Sequence, residues 1–516
     1  MKKYAGSALL CILTAAPFLP GALEFARRGI PDLAFGGDAA ALEFGTWHAA
    51  RGQQLLGAYS RFGWNHPGPA FFYLAAPLYE VLGERGPALN LFTYATELVC
   101  AFAIVWAAYR LGNHLSATTV AALLSVFDLV ALPFLLGNEW NPISPILPLV
   151  LVCFLAALIV RGGTALLPLM AFVGSAIVQT HVGYTLAVVA LAVYAVFRGG
   201  ASARAGVTAR RVMLPTFAAL LVCWALPLVD VWVSHTSNLW QLIEFFVPTP
   251  RHLAQQSWPM TIDAFVRQAA ALPVAVAETL FHHRLPSTGR FLAVAITATE
   301  LFVVAAILRR VSLHDRGHIR VVAELTLLFA AVAILSIRSI RGELLLYLVT
   351  WCAVCGFLAA FVISEFASDW LGARVGENRA VAMAIAASSL VVALALTAPI
   401  ERGSVIGAED MDVGRIAPIV NAFVSARPGV APTIQIASRD TWPVAVGVAL
   451  YLVKKGTPVA VDEPWLNVVG RSLQQTPGPH PRLVFADDAN ADTLMRRGFV
   501  AVAASGGVHV LFGRAE

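Results

Sequence analysis

Residues that could carry chemistry are concentrated in the stretch PDLAFGGDAAALEFGTWHAARGQQLLGAYSRFGWNHPGP, residues 31–69. Asp38 follows two glycines and precedes an alanine-rich helical pattern, which suits a carboxylate held near a helix N-terminus. Such a carboxylate can act as a general base towards a hydroxyl group. The same position also suits an ordinary helix cap, and the sequence leaves both interpretations open.

Three further residues of this stretch combine charge with a helical or turn setting. Glu43 and His48 follow Asp38 at five-residue intervals, which is typical of an amphipathic helix face. Glu43 is nevertheless kept as a candidate for substrate binding, and Arg61 is a second one.

The segment WNHPGP ends the stretch with a rigid turn. Pro67 and Pro69 fix backbone angles and block a helix before Ala70. In a functional interpretation this turn holds Asn65 and His66 beside a catalytic carboxylate, and in a structural one it only starts a helix.

Two short connectors between apolar runs are also rich in polar and aromatic side chains. GNEWNP contributes Glu139, Trp140 and Asn141, and QTHVGY contributes His181 and Tyr184. Aromatic rings with amides and acids can hold sugar rings by stacking and hydrogen bonds. Tryptophan and tyrosine are also enriched at every membrane interface, so a purely structural role remains open for each residue.

A third connector, RSIRGE, carries Arg338 and Arg341. The planar fork of arginine matches phosphate oxygens, so the pair predicts a phosphate site. The alternative is an interfacial arginine that reaches ordinary lipid headgroups.

The composition places all these residues in a membrane protein. The chain has 516 residues, 58% hydrophobic and 13% charged, with a mean hydropathy of +0.72. These values predict a polytopic membrane protein. The net charge of +5 comes from arginines in loops between apolar runs, which excludes a nucleic-acid-binding face. All six cysteines lie in apolar stretches, which indicates no disulfide framework.

The apolar runs predict eleven transmembrane helices, because a helix of about 20 residues crosses the hydrocarbon core. The first is expected to be uncleaved. The run from Ala70 to Leu82 is too short, so it predicts a surface helix, and residues 234–290 are expected to form a long loop that acts as a lid or acceptor groove. The predicted spans are 5–22, 88–109, 115–137, 143–160, 164–180, 182–197, 212–233, 291–308, 321–337, 344–365 and 380–399.

The basic loops predict the orientation of these spans. With a cytoplasmic N-terminus, the short loops that carry most of the arginines lie inside, as the positive-inside rule requires. The stretch at residues 31–69, the three connectors and everything after about residue 400 then lie outside. We therefore expect an integral protein of a bacterial inner or plasma membrane with its working face outside.

The tail changes character after about residue 400. Runs such as TIQIAS, PRLVFAD and VHVLFG alternate with helical patterns, which predicts a small extracytoplasmic α/β domain. The expected fold is thus a helical membrane domain over residues 1–399 and an α/β domain over residues 400–516.

Histidines in the expected long loop raise the question of a metal. His252, His282 and His283 have no acidic or cysteine partner that would complete a four-ligand set, so no metal ligand is assigned. The sequence indicates no certain cofactor, although it leaves a divalent metal open.

Asp38 together with His66, Pro67, Gly68 and Pro69 resembles the pattern of the GT-C superfamily of integral-membrane glycosyltransferases. This superfamily includes the protein O-mannosyltransferases and the lipid A aminoarabinose transferase, which carry an early acidic residue and a [HK]-Pro-Pro-like motif in the first outer loop. Gly68 departs from the second proline of that motif. The resemblance implies transfer of a sugar from a polyprenyl-phosphate carrier to a glycan, lipid or protein acceptor, with Asp38 as the base.

Two other functions remain open from the sequence. A transporter or flippase of a lipid or envelope precursor would place charged residues within spans, where the chain has Glu97, Asp128 and Glu324. A non-catalytic subunit in envelope assembly would keep the fold without the chemistry.

Overall fold

The computed structural model describes residues 2–29, 31–202, 209–234, 237–247, 254–281, 289–312, 317–397, 407–475 and 480–514. The long apolar runs form helices, so the chain is a multi-pass helical membrane protein with a small C-terminal sheet. The helices of the first half are α1 (Lys2–Ala15), α2 (Leu19–Arg28), α3 (Gly37–Ala50), α4 (Ala70–Val81), α5 (Pro87–Leu111), α6 (His114–Val126), α7 (Ile146–Val160), α8 (Leu167–Thr180), α9 (Thr185–Ser202) and α10 (Ala209–Val233).

The second half continues with helices and then strands. Its helices are α11 (Asn238–Phe246), α12 (Trp258–Ala269), α13 (Ala271–Phe281), α14 (Gly289–Arg310), α15 (Gly317–Ser339), α16 (Ala353–Val375), α17 (Glu377–Thr397), α18 (Ala408–Ser425), α19 (Trp442–Lys454), α20 (Leu466–Val469) and α21 (Asp488–Arg496). Its strands are β1 (Thr433–Ile436), β2 (Ala460–Val461), β3 (Pro481–Ala486), β4 (Val500–Ser505) and β5 (Val508–Arg514).

The number of spans differs from the predicted eleven. Eight helices of the described residues are long and apolar enough to cross a membrane, and a bent pair of helices would make nine. The remaining three predicted spans contain shorter apolar helices, at Ile146–Val160, Thr164–Thr180 and Ile385–Thr397. Apolar composition therefore located the helices, but it did not fix which of them cross.

The predicted long loop at residues 234–290 is wrong in its described part. It contains α11, α12 and α13, and the last two meet at an angle of 51°. Asp263 and Arg267 of α12 form an i,i+4 ion pair, a spacing that favours a helix. Each of the two helices alone is also shorter than a span. The described part of this segment is therefore mainly helical, and its role as a lid or acceptor groove stays a prediction.

The chain divides into two compact units. The membrane unit comprises Met1–Arg27, Thr93–Leu228 and Trp240–Arg402, and the mixed unit comprises Arg28–Phe92, Val229–Leu239 and Gly403–Glu516. These bounds differ from a division at residue 400, because the stretch after the first span belongs with the C-terminal residues.

The membrane unit has one apolar core built by its helices. Almost every residue of α7 is buried, since this helix packs on both α8 and α9. Gly356 in α16 lets the backbone of α12 approach closely, because a Cβ at Gly356 would lie 2.0 Å from the carbonyl oxygen of Ala269. The polar connectors join the ends of these closely packed helices.

The mixed unit contains a five-stranded sheet in the order β2-β1-β3-β5-β4. The first three strands of this order are parallel, and β5 pairs antiparallel with both β3 and β4. The strands β1, β3 and β5 lie where the alternating runs of the tail predicted them. Because α19 follows β1, it forms the crossover that parallel strands require.

The core of the mixed unit combines residues from both ends of the chain. Phe35, Ala40 and Phe44 from the N-terminal stretch pack with the C-terminal helices, for example with Val413 of α18 and Val448 of α19. The helix that carries Asp38 is thus part of the same hydrophobic core as the sheet.

Candidate functional site

Asp38 lies in the first turn of α3. Gly36 is the N-cap residue, so Asp38 is not the helix cap. Gly37 has a φ of 53°, a left-handed conformation that glycine adopts readily, and this explains the two glycines before Asp38. The Gly36 N–H donates to Asp410 Oδ1 at 2.7 Å, and the Tyr59 hydroxyl donates to Asp38 Oδ1. The carboxylate is half-buried at a helix end that favours negative charge.

Glu43 is not on an exposed amphipathic face, because it is 1% exposed. Lys454 Nζ lies 2.6 Å from its Oε1, and the Tyr79 hydroxyl donates to the same oxygen at 2.8 Å. Burial raises the pKa of Glu43, while Lys454 and Tyr79 oppose the shift. Through Oε1, Glu43 therefore ties α3 to α4 and α19, whereas its buried Oε2 has no hydrogen-bond partner.

His48 is also buried, at 4% exposure. Its Nε2 lies 2.8 Å from Ser472 Oγ. Burial, with the charge of Arg51, lowers the pKa of His48 to about 4, so the imidazole is neutral at pH 7. Gly470, with a φ of 95°, lets the chain pass the ring, since a Cβ there would lie 2.7 Å from His48 Cε1.

Asn65 holds a turn in the mixed unit. Its N–H donates to Asn238 Oδ1 at 2.7 Å, and its side-chain amide donates to the carbonyls of Gly57 and Asn467. Asn238 in turn donates its N–H to buried Asp230 Oδ2 at 2.9 Å. These bonds fix the backbone of the turn and use the polar groups of Asn65 internally.

His66 and Arg61 lie at the two extremes of exposure in this turn. His66 is buried, and its ring contacts Trp64 edge-on at 5.6 Å between centroids. Arg61 is exposed, with its guanidinium 4.9 Å from the ring centroid of Phe62. The structure thus brings Asp38, Tyr59 and this turn into one unit, with Arg61 as its accessible cation.

The two polar connectors meet in the membrane unit. Asn141 Nδ2 donates to the carbonyl of Thr180 at 3.4 Å, and the Tyr184 hydroxyl donates to the carbonyl of Pro142 at 2.7 Å. His181 Nδ1 accepts the Gly183 N–H at 3.2 Å. Tyr184 and His181 are buried and mainly position the backbone.

Trp140 and Glu139 are the half-buried members of this junction. The ring centroids of Trp140 and Tyr347 are 4.6 Å apart. Ser336 of α15, two residues before the third connector, donates to the carbonyl of Gly183 at 3.1 Å. The first two connectors therefore contact each other within the membrane unit, beside the end of α15.

The connector with the two arginines pairs with the chain that precedes α12. Arg341 forms an isolated antiparallel bridge with Gln255, and the Gly342 N–H donates to the carbonyl of Ala254 at 3.2 Å. Arg338 Nη1 donates to Gln255 Oε1 at 3.3 Å, and its guanidinium lies 5.5 Å from the ring centroid of Trp258. Both arginines are thus held on one short piece of paired chain.

Arg341 has an unusual environment for a cation. It is 4% exposed, and its Nη2 donates to the carbonyl of Phe246 at 3.2 Å. Its Nε is buried and has no hydrogen-bond partner, and no carboxylate pairs with it within the described ranges. A buried cation without a countercharge is costly, so this site favours the binding of an anion.

The described residues contain no group of three or more potential metal ligands. His252, His282 and His283 lie outside the described residues.

Sequence reasoning missed several residues on which the candidate site depends. Tyr59 and Lys454 contact the acidic residues of α3, and Asp230 anchors the turn through Asn238. Asp230 gave one signal, a carboxylate at the end of an apolar segment. The other two gave none, because their partners are remote in sequence.

No family model matches the chain, and no curated protein matches its sequence.

Proposed function

We propose that the chain is a membrane glycosyltransferase that moves a sugar from a polyprenyl-phosphate carrier to a glycan, lipid or protein acceptor outside the cytoplasm. The observation that supports this most is Arg341, a buried cation with a free Nε and no carboxylate partner among the described residues. Arg338 adds a second cation beside the same paired chain.

The proposed role of the arginines is to bind the phosphate of the donor. When the bond between the sugar and the phosphate oxygen breaks, the phosphate leaves with the electron pair and gains charge. Arginine can stabilise that charge with two N–H groups in one plane. The residual exposure of Arg338 suits a headgroup that enters from a bilayer.

The proposed role of Asp38 is to take the proton from the acceptor hydroxyl. The acceptor oxygen then forms its bond to the anomeric carbon as the phosphate departs. The helix N-terminus favours the charged form of Asp38, and the Tyr59 hydroxyl orients the carboxylate. The turn in the same unit contains Arg61, Asn65 and His66. Of these three, Arg61 is exposed and is the proposed substrate contact.

Within the membrane unit, Trp140 and Glu139 are the proposed contacts for the sugar of the donor. Both are half-buried, whereas Tyr184 and His181 are buried and support the backbone around them. Asn141 joins the two connectors through its bond to Thr180. No divalent metal is needed for this assignment of roles, since a phosphate carrier is already a good leaving group.

The test is native mass spectrometry of the purified chain with polyprenyl-phosphate sugars and with free polyprenyl phosphate. We expect Arg341→Ala with Arg338→Ala to weaken binding at least tenfold, about 1.4 kcal/mol. We expect Asp38→Asn to bind the donor normally and to lose turnover. Arg267→Ala is the matched control, because Arg267 lies in the same unit but pairs with Asp263 at 3.0 Å.

Two outcomes would contradict the proposal. If the polyprenyl-phosphate lipids bind no more tightly than ordinary phospholipids, the assignment of the donor is wrong. If the double variant and Arg267→Ala lose lipid binding to the same extent, the arginines do not form the phosphate site. Arg341→Lys refines the result, because lysine keeps the charge but lacks the planar fork.

A transporter remains the second candidate because of two observations in the membrane unit. The helices α12 and α13 form a broken pair, and the buried carboxylates Glu97 and Asp128 have no cationic partner among the described residues. Broken helices and buried acids are typical of transport sites. Movement of a labelled lipid-linked sugar across liposomes that is abolished by Asp128→Asn, without sugar transfer, would favour this candidate.

A further inference from the structure

Three aromatic rings form a row that begins at Asp38 in the mixed unit. The Tyr59 hydroxyl donates to Asp38 Oδ1, and the ring centroids of Tyr59 and Trp442 are 5.9 Å apart. The ring centroids of Trp442 and Trp465 are also 5.9 Å apart, and the two ring planes are inclined by 16°. We call Tyr59, Trp442 and Trp465 the aromatic row.

The position of the row relative to Asp38 is fixed by close backbone packing. Trp442 is the first residue of α19, and Pro443 follows it. A Cβ on Gly37 would lie 3.9 Å from Trp442 Cη2, and one on Gly36 would lie 3.2 Å from the carbonyl oxygen of Pro443. The glycine turn before Asp38 therefore rests directly on the start of α19.

The rings of the row are only half-buried, which distinguishes them from core tryptophans. Trp64 and Trp351 are 7% and 1% exposed. The row therefore presents aromatic surface to solvent at the edge of the hydrophobic core of the mixed unit, where Tyr59, Trp442 and Trp465 pack only partly.

The chemistry around the row is polar. Asp38 lies at one end, and the exposed Glu463 precedes Trp465 by two residues in the sequence. Hydrocarbon chains gain nothing from carboxylates, whereas sugar hydroxyls donate hydrogen bonds to them. The C–H face of a pyranose ring also matches the negative face of an aromatic ring.

We infer that the aromatic row binds the acceptor, and that the acceptor is a neutral glycan whose sugar rings stack on Trp442 and Trp465. The end of this glycan presents a hydroxyl to Asp38. This inference rests on the proposed function, because it assigns the second substrate of the same reaction. It selects the glycan from the three acceptor classes that the sequence leaves open.

The experiment measures binding of neutral oligosaccharides of glucose, mannose, galactose and arabinose to the full-length chain in nanodiscs by saturation-transfer NMR. We expect the wild type to bind at least one of them. Trp465→Ala should weaken that binding at least tenfold, and Trp465→Phe should largely restore it. Trp47→Ala is the matched control, since Trp47 is a half-buried tryptophan of the same unit packed on Arg51.

Binding of polyprenyl phosphate by each variant separates the possible failures. If the donor binds and no oligosaccharide does, or if Trp465→Ala binds as the wild type does, the aromatic row is not a glycan site and the proposed function survives. If oligosaccharides bind as expected but polyprenyl phosphate does not bind, the aromatic row is a glycan site and the glycosyltransferase assignment is wrong. Normal donor binding by Trp465→Ala also shows that the variant has folded.

Discussion

Glu43 in the mixed unit and Arg341 in the membrane unit are both less than 5% exposed, but only Glu43 has a countercharge among the described residues. In the mixed unit, Glu43 has Lys454 Nζ at 2.6 Å and a hydrogen bond from Tyr79. In the membrane unit, Arg341 has one carbonyl partner and a free Nε. Burial alone therefore does not identify a functional charge. The presence or absence of a countercharge is more informative. A buried charge with a countercharge is stabilised within the fold, whereas a buried charge without one favours a bound ion of opposite sign.

The largest effect should come from breaking the compensated charge. Lys454→Met leaves Glu43 buried without its countercharge, and we expect it to lower the free energy of unfolding by about 3 kcal/mol. The measurement is chemical unfolding followed by tryptophan fluorescence. The double variant Glu43→Gln with Lys454→Met should recover most of the loss, since it removes both charges.

Arg51→Ala provides the control for this prediction. Arg51 pairs with Glu84 at 3.0 Å, and both side chains are about one-third exposed, so its loss should lower stability by less than about 1 kcal/mol. If Lys454→Met is no more harmful than Arg51→Ala, Glu43 does not depend on its partner and the comparison between the units fails.

The next effect concerns the pH dependence of the mixed unit. The pKa of His48 is about 4 in the folded chain and about 6.5 when unfolded, because burial disfavours the imidazolium. The unfolded chain therefore binds the proton more tightly, and stability should fall as the pH drops from about 6.5 to about 4. The expected loss is roughly 2–3 kcal/mol.

Thermal unfolding at several pH values checks this prediction when the wild type is compared with His48→Gln. The variant lacks the titrating group, so the difference between the two melting temperatures should change over this pH window and stay constant above it. A constant difference throughout would show that His48 is protonated as easily in the folded chain as in the unfolded one.

The smallest effect on stability is expected at the uncompensated charge. Arg341→Met removes a buried cation with no described carboxylate partner, so the free energy of unfolding should change by less than about 1 kcal/mol or rise slightly. The same unfolding measurement applies. A loss as large as that of Lys454→Met would show that Arg341 is compensated in the fold and would weaken its assignment to a phosphate.

Local signals in the sequence were sufficient for much of the secondary structure. The alternating runs after residue 400 correspond to β1, β3 and β5, and the proline turn is followed by α4 at Ala70. The two glycines before Asp38 correctly indicated a helix start. These features could be predicted because each depends on residues within one or two turns of chain.

Features that depend on remote partners could not be predicted in this way. The helices within residues 234–290 were missed because each is shorter than a membrane span. Glu43 looked like a surface residue because Lys454 is 411 positions away. The division of the chain was also not visible in the sequence, since Phe35 and Phe44 share a core with residues after 403.

The sequence by itself determined that this protein is a helical membrane protein with a C-terminal sheet and with its unusual polar residues in connecting segments. Hydrophobic periodicity and turn chemistry act locally, so they are readable from one chain. Only the tertiary structure decided which buried charge has a countercharge, as Glu43 has in Lys454, and which has none among the described residues, as is the case for Arg341. That distinction depends on desolvation and on partners brought together by folding, and neither is encoded in local sequence.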